Sequence, residues 1–118
     1  MTSAFIKTVS LLPLLTAAAV MVGCGSSGWS GPELDLTKSR AEDIAAAALR
    51  FEESTGQLPA NLRDLVPEYI DRINRPVVGL QDWEWSSDHD SPYIGFADEG
   101  DYPICIYNLR TGDWFCDM

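Results

Sequence analysis

The clearest pattern in the 118-residue chain is an apolar stripe at helical spacing between residues 41 and 56. Ile44, Ala47, Ala48 and Phe51 recur at i, i+3, i+4 and i+7, which places them on one face of an α-helix. The charged residues of the same segment fall largely outside this stripe and can face water. Gly56 follows at the position where a left-handed residue ends many helices. The pattern therefore predicts one main amphipathic helix that packs on the rest of the domain.

The start of this helix is marked by several competing caps. Ser39 and Glu42 have the spacing of a capping box, in which each side chain satisfies a free N–H group of the first helical turn. Asp35 and Thr37 are rival caps, so the pattern also allows a start one turn earlier.

Before the helix, residues 24–36 begin with a stretch of Gly and Ser that is typical of a flexible tether. Trp29 is the one large aromatic residue in this stretch. It is expected either to dock on the domain or to lie at a lipid interface, and the sequence leaves both possibilities open.

A proline- and leucine-rich arm follows the helix at residues 57–70. Pro59 disfavours helical geometry at the residue before it, and Pro67 suits the first position of a new turn. The apolar side chains of the arm are expected to fold back on the helix as part of the core: Leu58, Leu62, Leu65, Val66, Tyr69 and Ile70.

The rest of the chain has the period-two pattern of short strands. Trp83 and Trp85 alternate with acidic residues, which predicts a half-buried strand. Residues 102–108 and 113–117 alternate as well, and residues 109–112 between them suit a four-residue hairpin loop with a glycine at positive φ. That loop length sets the register: Asn108 pairs with Asp113, Tyr107 with Trp114, Ile106 with Phe115, and Cys105 with Cys116.

These elements predict an α+β fold, in which an N-terminal helix packs on an antiparallel sheet of three or four strands, closed by a C-terminal disulfide hairpin. Cys105 and Cys116 face each other in the predicted register, and Cα atoms in a non-hydrogen-bonded pair lie about 4.5 Å apart, within reach of a disulfide. The same register places Ile104, Ile106 and Phe115 on one face, which we expect to cover the helix.

Tyr107 and Trp114 fall on the opposite face of the predicted hairpin, beside the disulfide, and are expected to stay partly exposed. An exposed aromatic pair is a candidate partner surface. A cross-strand aromatic pair that only stabilises the hairpin fits the same pattern at least as well.

The N-terminal segment has the pattern of an export signal. Lys7 is the only charged residue among residues 1–23, and an apolar run ends in the sequence MVGC at residues 21–24. This sequence resembles the lipobox of bacterial lipoproteins, which implies a cleaved signal peptide (residues 1–23) and a lipid anchor on Cys24. Gly25 is not the aspartate that retains many lipoproteins in the inner membrane. The resemblance therefore implies a cell-envelope protein anchored by lipid in the outer membrane, facing the periplasm.

The charge of the chain limits its partners. Eighteen Asp and Glu oppose eight Lys and Arg, a formal charge of −10, and removal of Lys7 with the signal peptide leaves seven bases and a charge of −11. Such an acidic surface argues against nucleic acid and against electrostatic binding to anionic lipids. Membrane attachment would then depend on the acyl chains alone.

The segment from the helix into the arm resembles the head domain of type II secretion pseudopilins and related type IV pilin-like proteins. The resemblance is carried by G-x-L-P-x-x-L-x-x-L-V-P-x-Y-I at residues 56–70 and by the aromatic short strands that follow. It covers roughly residues 41–116, and implies a pilin-head-like domain at residues 37–118. The long apolar helix through which pilins assemble has no counterpart here, so a lipid would take its place.

Acidic residues cluster in two predicted turns. Residues 82–101 contain seven Asp and Glu and no Lys or Arg. Major pseudopilins bind calcium in loops between strands, and Ca²⁺ takes about six to eight oxygen ligands. The candidate calcium ligands are Asp88, Asp90, Asp98, Glu99 and Asp101. The EF-hand pattern is absent and acidic loops also protect sheet edges, so a solvated surface is the competing interpretation.

The sequence offers little support for catalysis. His89 is the only histidine, and its Ser and Asp neighbours lie in one predicted turn, where no third group holds a base in place. We therefore expect a non-catalytic, pseudopilin-like interaction module of the envelope. Its expected partner is an envelope protein, and the module is expected to be an accessory to a type II secretion or pilus-like system. The alternative is a calcium- or ligand-binding surface lipoprotein unrelated to secretion.

Overall fold

The computed structural model describes residues 29–118. One long helix, α1 (Gly31–Thr55), is followed by a short 3₁₀ helix (Leu62–Leu65) and a four-stranded antiparallel sheet. This is the α+β arrangement that the sequence predicts, with the helix first and the sheet after it.

The predicted signal peptide, residues 1–23, lies outside the described residues. So do the lipidation site Cys24 and the part of the predicted tether at residues 25–28. Between residues 29 and 118, no helix combines the length and the apolar character that crossing a bilayer requires.

Helix α1 begins earlier than predicted. Ser30 is its N-cap and Pro32 lies in the first turn, where the fixed φ of proline suits the helix and its missing N–H costs no bond. The residues predicted as caps all lie within the helix: Asp35, Thr37 and Ser39. The end was predicted correctly, since Gly56 adopts φ 90° and its N–H donates to the Glu52 carbonyl at 2.8 Å.

The early helix start was missed because a threonine interrupts the apolar stripe. The buried face of α1 runs from Leu34 through Thr37 and Ala41 to Ile44, at helical spacing. The Thr37 hydroxyl donates to the Glu33 carbonyl at 2.8 Å and accepts from the Val77 N–H at 3.0 Å, so its polar group is satisfied at a fully buried position. A hydroxyl therefore occupies a place where an apolar residue would have extended the pattern.

Trp29 docks on the domain. Its ring lies 5.2 Å from the ring of Phe96, and its backbone N–H points at Met118 Sδ, 3.4 Å away. The prediction of a flexible tether as far as residue 36 is therefore wrong from Trp29 onward, because these residues pack on the sheet or belong to α1.

The arm folds back on the helix largely as predicted. Leu58, Leu62 and Leu65 are buried in one cluster with the alanine-rich face of α1. Asn61 begins the 3₁₀ helix with a capping box to Asp64. The expectation that every apolar residue of the arm is buried was wrong for one residue, because Val66, just after the 3₁₀ helix, is 37% exposed.

The sheet is a simple meander with the strand order β1-β2-β3-β4, each pair antiparallel. Its strands are β1 (Glu84–Ser86), β2 (Tyr93–Ala97), β3 (Ile104–Asn108) and β4 (Trp114–Asp117). A short 3₁₀ turn (Glu99–Asp101) joins β2 to β3. Both edge strands, β1 and β4, are short.

The predicted hairpin register is confirmed. Cys105 lies opposite Cys116 with a Cα–Cα distance of 4.1 Å, and the two form the predicted disulfide. The neighbouring pairs also follow the prediction: Ile106 with Phe115, and Tyr107 with Trp114. At the loop, the Asn108 N–H donates to the Asp113 carbonyl at 3.0 Å, and Gly112 has the expected positive φ of 73°.

The predicted faces of the hairpin are reversed. The helix side holds Cys105, fully buried, and Trp114, whereas Phe115 is 64% exposed. The expectation that Ile104, Ile106 and Phe115 cover the helix was therefore wrong. The reason lies in strand β2, whose alternate residues Ile94 and Phe96 are fully buried. They pair with Tyr107 and Cys105 of β3, so these two residues must lie on the buried face as well.

Candidate interaction surface

The aromatic pair that was predicted as a partner surface lies on the inner side of the sheet. The rings of Tyr107 and Trp114 are 5.2 Å apart, and both pack at the edge of the core. The indole N–H of Trp114 donates to Glu42 on α1 at 2.8 Å, and Lys38 Nζ lies 5.3 Å from the indole ring. The helix therefore covers part of this pair, an arrangement that fits the competing interpretation of a stabilising cross-strand pair.

The open side of the sheet is a different surface, which we call the outer sheet face. It is defined by the outward positions Glu84, Gly95, Ile104, Ile106 and Phe115. Four of them form a continuous row across the strands, from Glu84 on β1 through Gly95 and Ile106 to Phe115 on β4. The two isoleucines are half-buried and Phe115 is largely exposed.

Gly95 keeps the middle of this face flat. A Cβ atom at this position would lie 2.6 Å from the carbonyl oxygen of Cys105 and 3.2 Å from Cγ1 of Ile106. The Ile106 side chain thus occupies the space beside the glycine. As a result, the apolar surface is continuous from β2 to β4.

Basic side chains gather on the opposite side of the molecule, between α1 and the arm. Arg40 donates to the Arg75 carbonyl at 2.7 Å, and Arg50 donates to the Tyr69 carbonyl at 2.6 Å. A groove of about 390 Å³ lies between these contacts, with Ile44 and Ile70 among its walls. One of these carbonyls belongs to the arm and the other lies five residues beyond it, so the two arginines hold the arm and the segment after it on the helix.

Arg110, at the hairpin loop, joins three elements at one end of the domain. Its guanidinium makes two parallel hydrogen bonds to the Glu52 carboxylate at 2.7 Å each, and donates to the His89 carbonyl at 2.9 and 3.1 Å. The hydrogen bond from Arg110 holds the pKa of Glu52 below its ordinary value, against the opposing effect of burial. The loop, the end of α1 and the turn before β2 are thereby clamped together.

The two acidic turns of the calcium hypothesis do not meet. Asp88 and Asp90 lie just before strand β2, whereas Asp98, Glu99 and Asp101 lie just after it, at the other end of the strand. The Asp98 carboxylate accepts from the Glu99 N–H at 2.8 Å and so caps the turn. Within residues 29–118, no three Asp, Glu, His or Cys side chains come together as a metal site would require. The geometry gives the calcium hypothesis no support.

His89 lies in an open turn. Its Nδ1 atom is 3.4 Å from the Asp90 carboxylate, and the two side chains are 83% and 94% exposed. A general base needs a fixed position beside a substrate, whereas within residues 29–118 the equally exposed Asp90 side chain is the only hydrogen-bond partner of the His89 ring.

The outer sheet face was missed by the sequence reasoning, although β2 contains a usable signal. In Ile94-Gly95-Phe96 the large apolar residues share one face and the glycine lies on the other, which identifies the buried side of the whole sheet. No protein-family model, curated protein or solved structure matches this chain.

Proposed function

We propose that the protein is a lipid-anchored, non-catalytic interaction module of the cell envelope, whose partner is another envelope protein. The observation that carries the proposal is the outer sheet face, where the half-buried Ile104 and Ile106 lie beside Phe115, which is 64% exposed. The helix covers only the other side of the sheet, so the open side is available for binding.

The order of elements supports a pilin-like head. A long helix comes first, the proline–leucine arm at residues 56–70 folds back on it, and a four-stranded antiparallel meander packs against its buried face. We propose that this head serves a type II secretion or pilus-like system as an accessory, with the lipid in place of an assembly helix.

The position of Trp29 supports a role close to the membrane. Because Trp29 packs on Phe96, only residues 25–28 separate the domain from the proposed lipid on Cys24. A chain extends by at most about 3.5 Å per residue, so the span from Cys24 to Trp29 is no more than about 18 Å. Lipid anchorage at the outer membrane would hold the head near the periplasmic surface and its proteins.

The anchor is tested by labelling cells with a clickable palmitate analogue and separating membranes from soluble proteins. The intact protein is expected to carry the label and sediment with membranes, whereas Cys24→Ser should lose the label and become soluble. The matched control is Cys105→Ala/Cys116→Ala, which removes the other two cysteines and should stay labelled. Retention of Cys24→Ser in membranes would contradict lipid anchorage.

The partner class is tested by crosslinking the intact protein in its own cells and identifying what it captures. Secretion or pilus components among the captured proteins would support the pilin-like assignment. Capture of unrelated envelope proteins would keep the interaction role and refute the secretion role.

A further inference from the structure

The outer sheet face is unlike the water-facing surface of most antiparallel sheets, whose outward positions carry polar side chains. Here the outward positions of β3 include Ile104 and Ile106, and the neighbour of Ile106 on β4 is Phe115, which is 64% exposed. Single apolar residues on a surface are common, but a set that is contiguous across two strands is typical of a binding site.

Acidic residues border this apolar surface on both sides. Glu84 lies at the β1 edge in register with Gly95, and Asp117 lies at the β4 edge in register with Ile104. The turn at residues 98–101 adds three further carboxylates at one end of the strands. The apolar centre therefore has a negative rim.

The negative rim has almost no compensating charge nearby. Residues 76–118 contain nine Asp and Glu but a single basic residue, Arg110, a formal charge of −8 with His89 neutral. Arg110 is already held by the Glu52 carboxylate and the His89 carbonyl. The remaining basic residues of the described chain lie in α1, in the arm or in residues 71–75 just after it. The field at the outer sheet face is therefore negative.

We infer that the outer sheet face binds a protein segment whose apolar side chains are flanked by Lys or Arg; this rests on the proposed function, which supplies an envelope protein as the partner. The apolar side chains would cover Ile106 and Phe115, and the flanking cations would meet Glu84 and Asp117 at the rim. Charges at a rim stay partly hydrated, so they steer and orient the partner at little desolvation cost.

The same features disfavour a second copy of this chain as the occupant. A second outer sheet face carries the same negative rim, so the two rims would repel. Antiparallel pairing of two β4 strands centred on Phe115 would also set Asp113 of each copy opposite Asp117 of the other, and directly opposed like charges are destabilising. An anionic bilayer surface is disfavoured by the same repulsion.

The inference is tested with the intact lipoprotein in its own cells, carrying the photocrosslinker p-benzoylphenylalanine in place of Phe115. Because Phe115 is exposed, the larger ring is accommodated without repacking the core. A second strain carries the crosslinker in place of Val66, an exposed apolar residue of the arm. Captured partner peptides are then sequenced by mass spectrometry.

The crosslinked peptide from position 115 is expected to contain an apolar residue with at least two Lys or Arg nearby. Glu84→Gln/Asp117→Asn should lower the yield at least about fivefold, because a charge pair at a protein surface loses its attraction when one partner is neutralised. The matched control is Glu53→Gln/Glu68→Gln, which removes two exposed charges outside the sheet and should leave the yield unchanged.

An acidic or uncharged partner segment, a crosslink to a second copy or to lipid, or an unchanged yield in Glu84→Gln/Asp117→Asn would each overturn the inference. Capture from position 66 but not from position 115 would overturn it too, while leaving the proposed interaction role intact. Capture from neither position would contradict both this inference and the proposed interaction role.

Discussion

Both faces of the small sheet carry large apolar side chains, yet only on the inner face are such side chains fully buried. The inner face packs Phe96 against Trp29, Trp83 and Trp114, with ring-centroid distances of 5.2 to 6.0 Å. The outer face carries Ile104, Ile106 and Phe115, which meet no comparable layer. The difference shows that apolar character alone does not decide which face folds inward, and that an apolar face left outside is a functional feature to be explained.

Strand β2 decides between the two faces. Its inward positions are Ile94 and Phe96, large enough to fill the space under α1, whereas its outward centre is Gly95, which offers no side chain to bury. Ile94 packs with the alanine-rich face of α1, and Phe96 packs with Leu34 near the start of the helix. The hairpin then follows β2 through the strand register.

The largest expected contrast comes from truncating one aromatic residue on each face. Phe96→Ala should lower the free energy of unfolding by about 3–5 kcal/mol, because it opens a cavity among three tryptophans. Phe115→Ala should change it by less than about 1 kcal/mol, since the side chain is already mostly hydrated. Urea unfolding followed by tryptophan fluorescence measures both.

Equal losses in Phe96→Ala and Phe115→Ala would show that the outer sheet face is buried in the isolated protein. That result would contradict the assignment of an open binding face. A loss confined to Phe96→Ala would support it, and would leave Phe115→Ala as a well-folded variant for partner-binding experiments.

The disulfide is the next largest stabilising feature of the inner face. Cys105→Ala/Cys116→Ala should lower stability by about 2–4 kcal/mol, because the bridge restricts the unfolded chain and Cys105 is fully buried. A reductant should bring the intact protein to a similar unfolding midpoint and leave the variant unchanged. If the reductant has no effect on the intact protein, the bridge is either absent in solution or irrelevant to stability.

Much of this fold could be predicted from the sequence where a local rule fixes the geometry. The four-residue loop before Asp113 fixed the hairpin register, and the register in turn fixed the Cys105–Cys116 disulfide. The helix end at Gly56 followed from its tolerance of positive φ. In each case the determining residues are close together in the sequence or joined by one short loop.

The choice of buried face could not be predicted in this way, because it depends on contacts between distant parts of the chain. Within the hairpin, Ile104, Ile106 and Phe115 are as apolar as the residues of the inner face. The alternation along the two strands therefore does not show which of the two sets is buried. The ambiguity disappears only when β2 and α1 are added. The sequence could not decide whether Trp29 docks on the domain for the same reason, since its partner Phe96 is far away in the sequence.

A smaller change in stability is expected when a side chain is added at Gly95, in the middle of the outer sheet face. Gly95→Ala would place its Cβ 2.6 Å from the Cys105 carbonyl oxygen, so the two strands must shift. We expect a loss of about 1–3 kcal/mol, the usual range for added atoms in a packed region. Tyr93→Phe, at an outward position of the same strand, is the control and should change stability by less than about 0.5 kcal/mol. An unchanged midpoint in Gly95→Ala would mean that the strands have room for a side chain.

The smallest predicted effect concerns the clamp that holds the hairpin loop to α1 at the end of the inner face. Arg110 lowers the pKa of Glu52 from its ordinary value of 4.5, so the folded protein releases this proton more readily than the unfolded chain. As the pH falls below about 4.5, Glu52 binds a proton in the unfolded chain before it does so in the folded protein, which favours unfolding. The contribution of Glu52 to stability is then lost progressively until the pH has fallen below its pKa in the folded protein. The Glu52 side chain is 19% exposed and the Arg110 side chain 30%, so solvent screens their attraction. We therefore expect the ion pair to contribute about 1 kcal/mol or less to stability.

Glu52→Gln should therefore remove part of the acid-induced loss of stability, and its urea midpoint should vary less with pH than that of the intact protein. Glu53→Gln, at the exposed next position of α1, should follow the intact protein throughout. Parallel pH profiles for Glu52→Gln and the intact protein would mean that the ion pair adds nothing to the closure of the inner face. Attachment of the sheet to the helix would then depend on apolar packing and on the hydrogen bond from the Trp114 indole to Glu42.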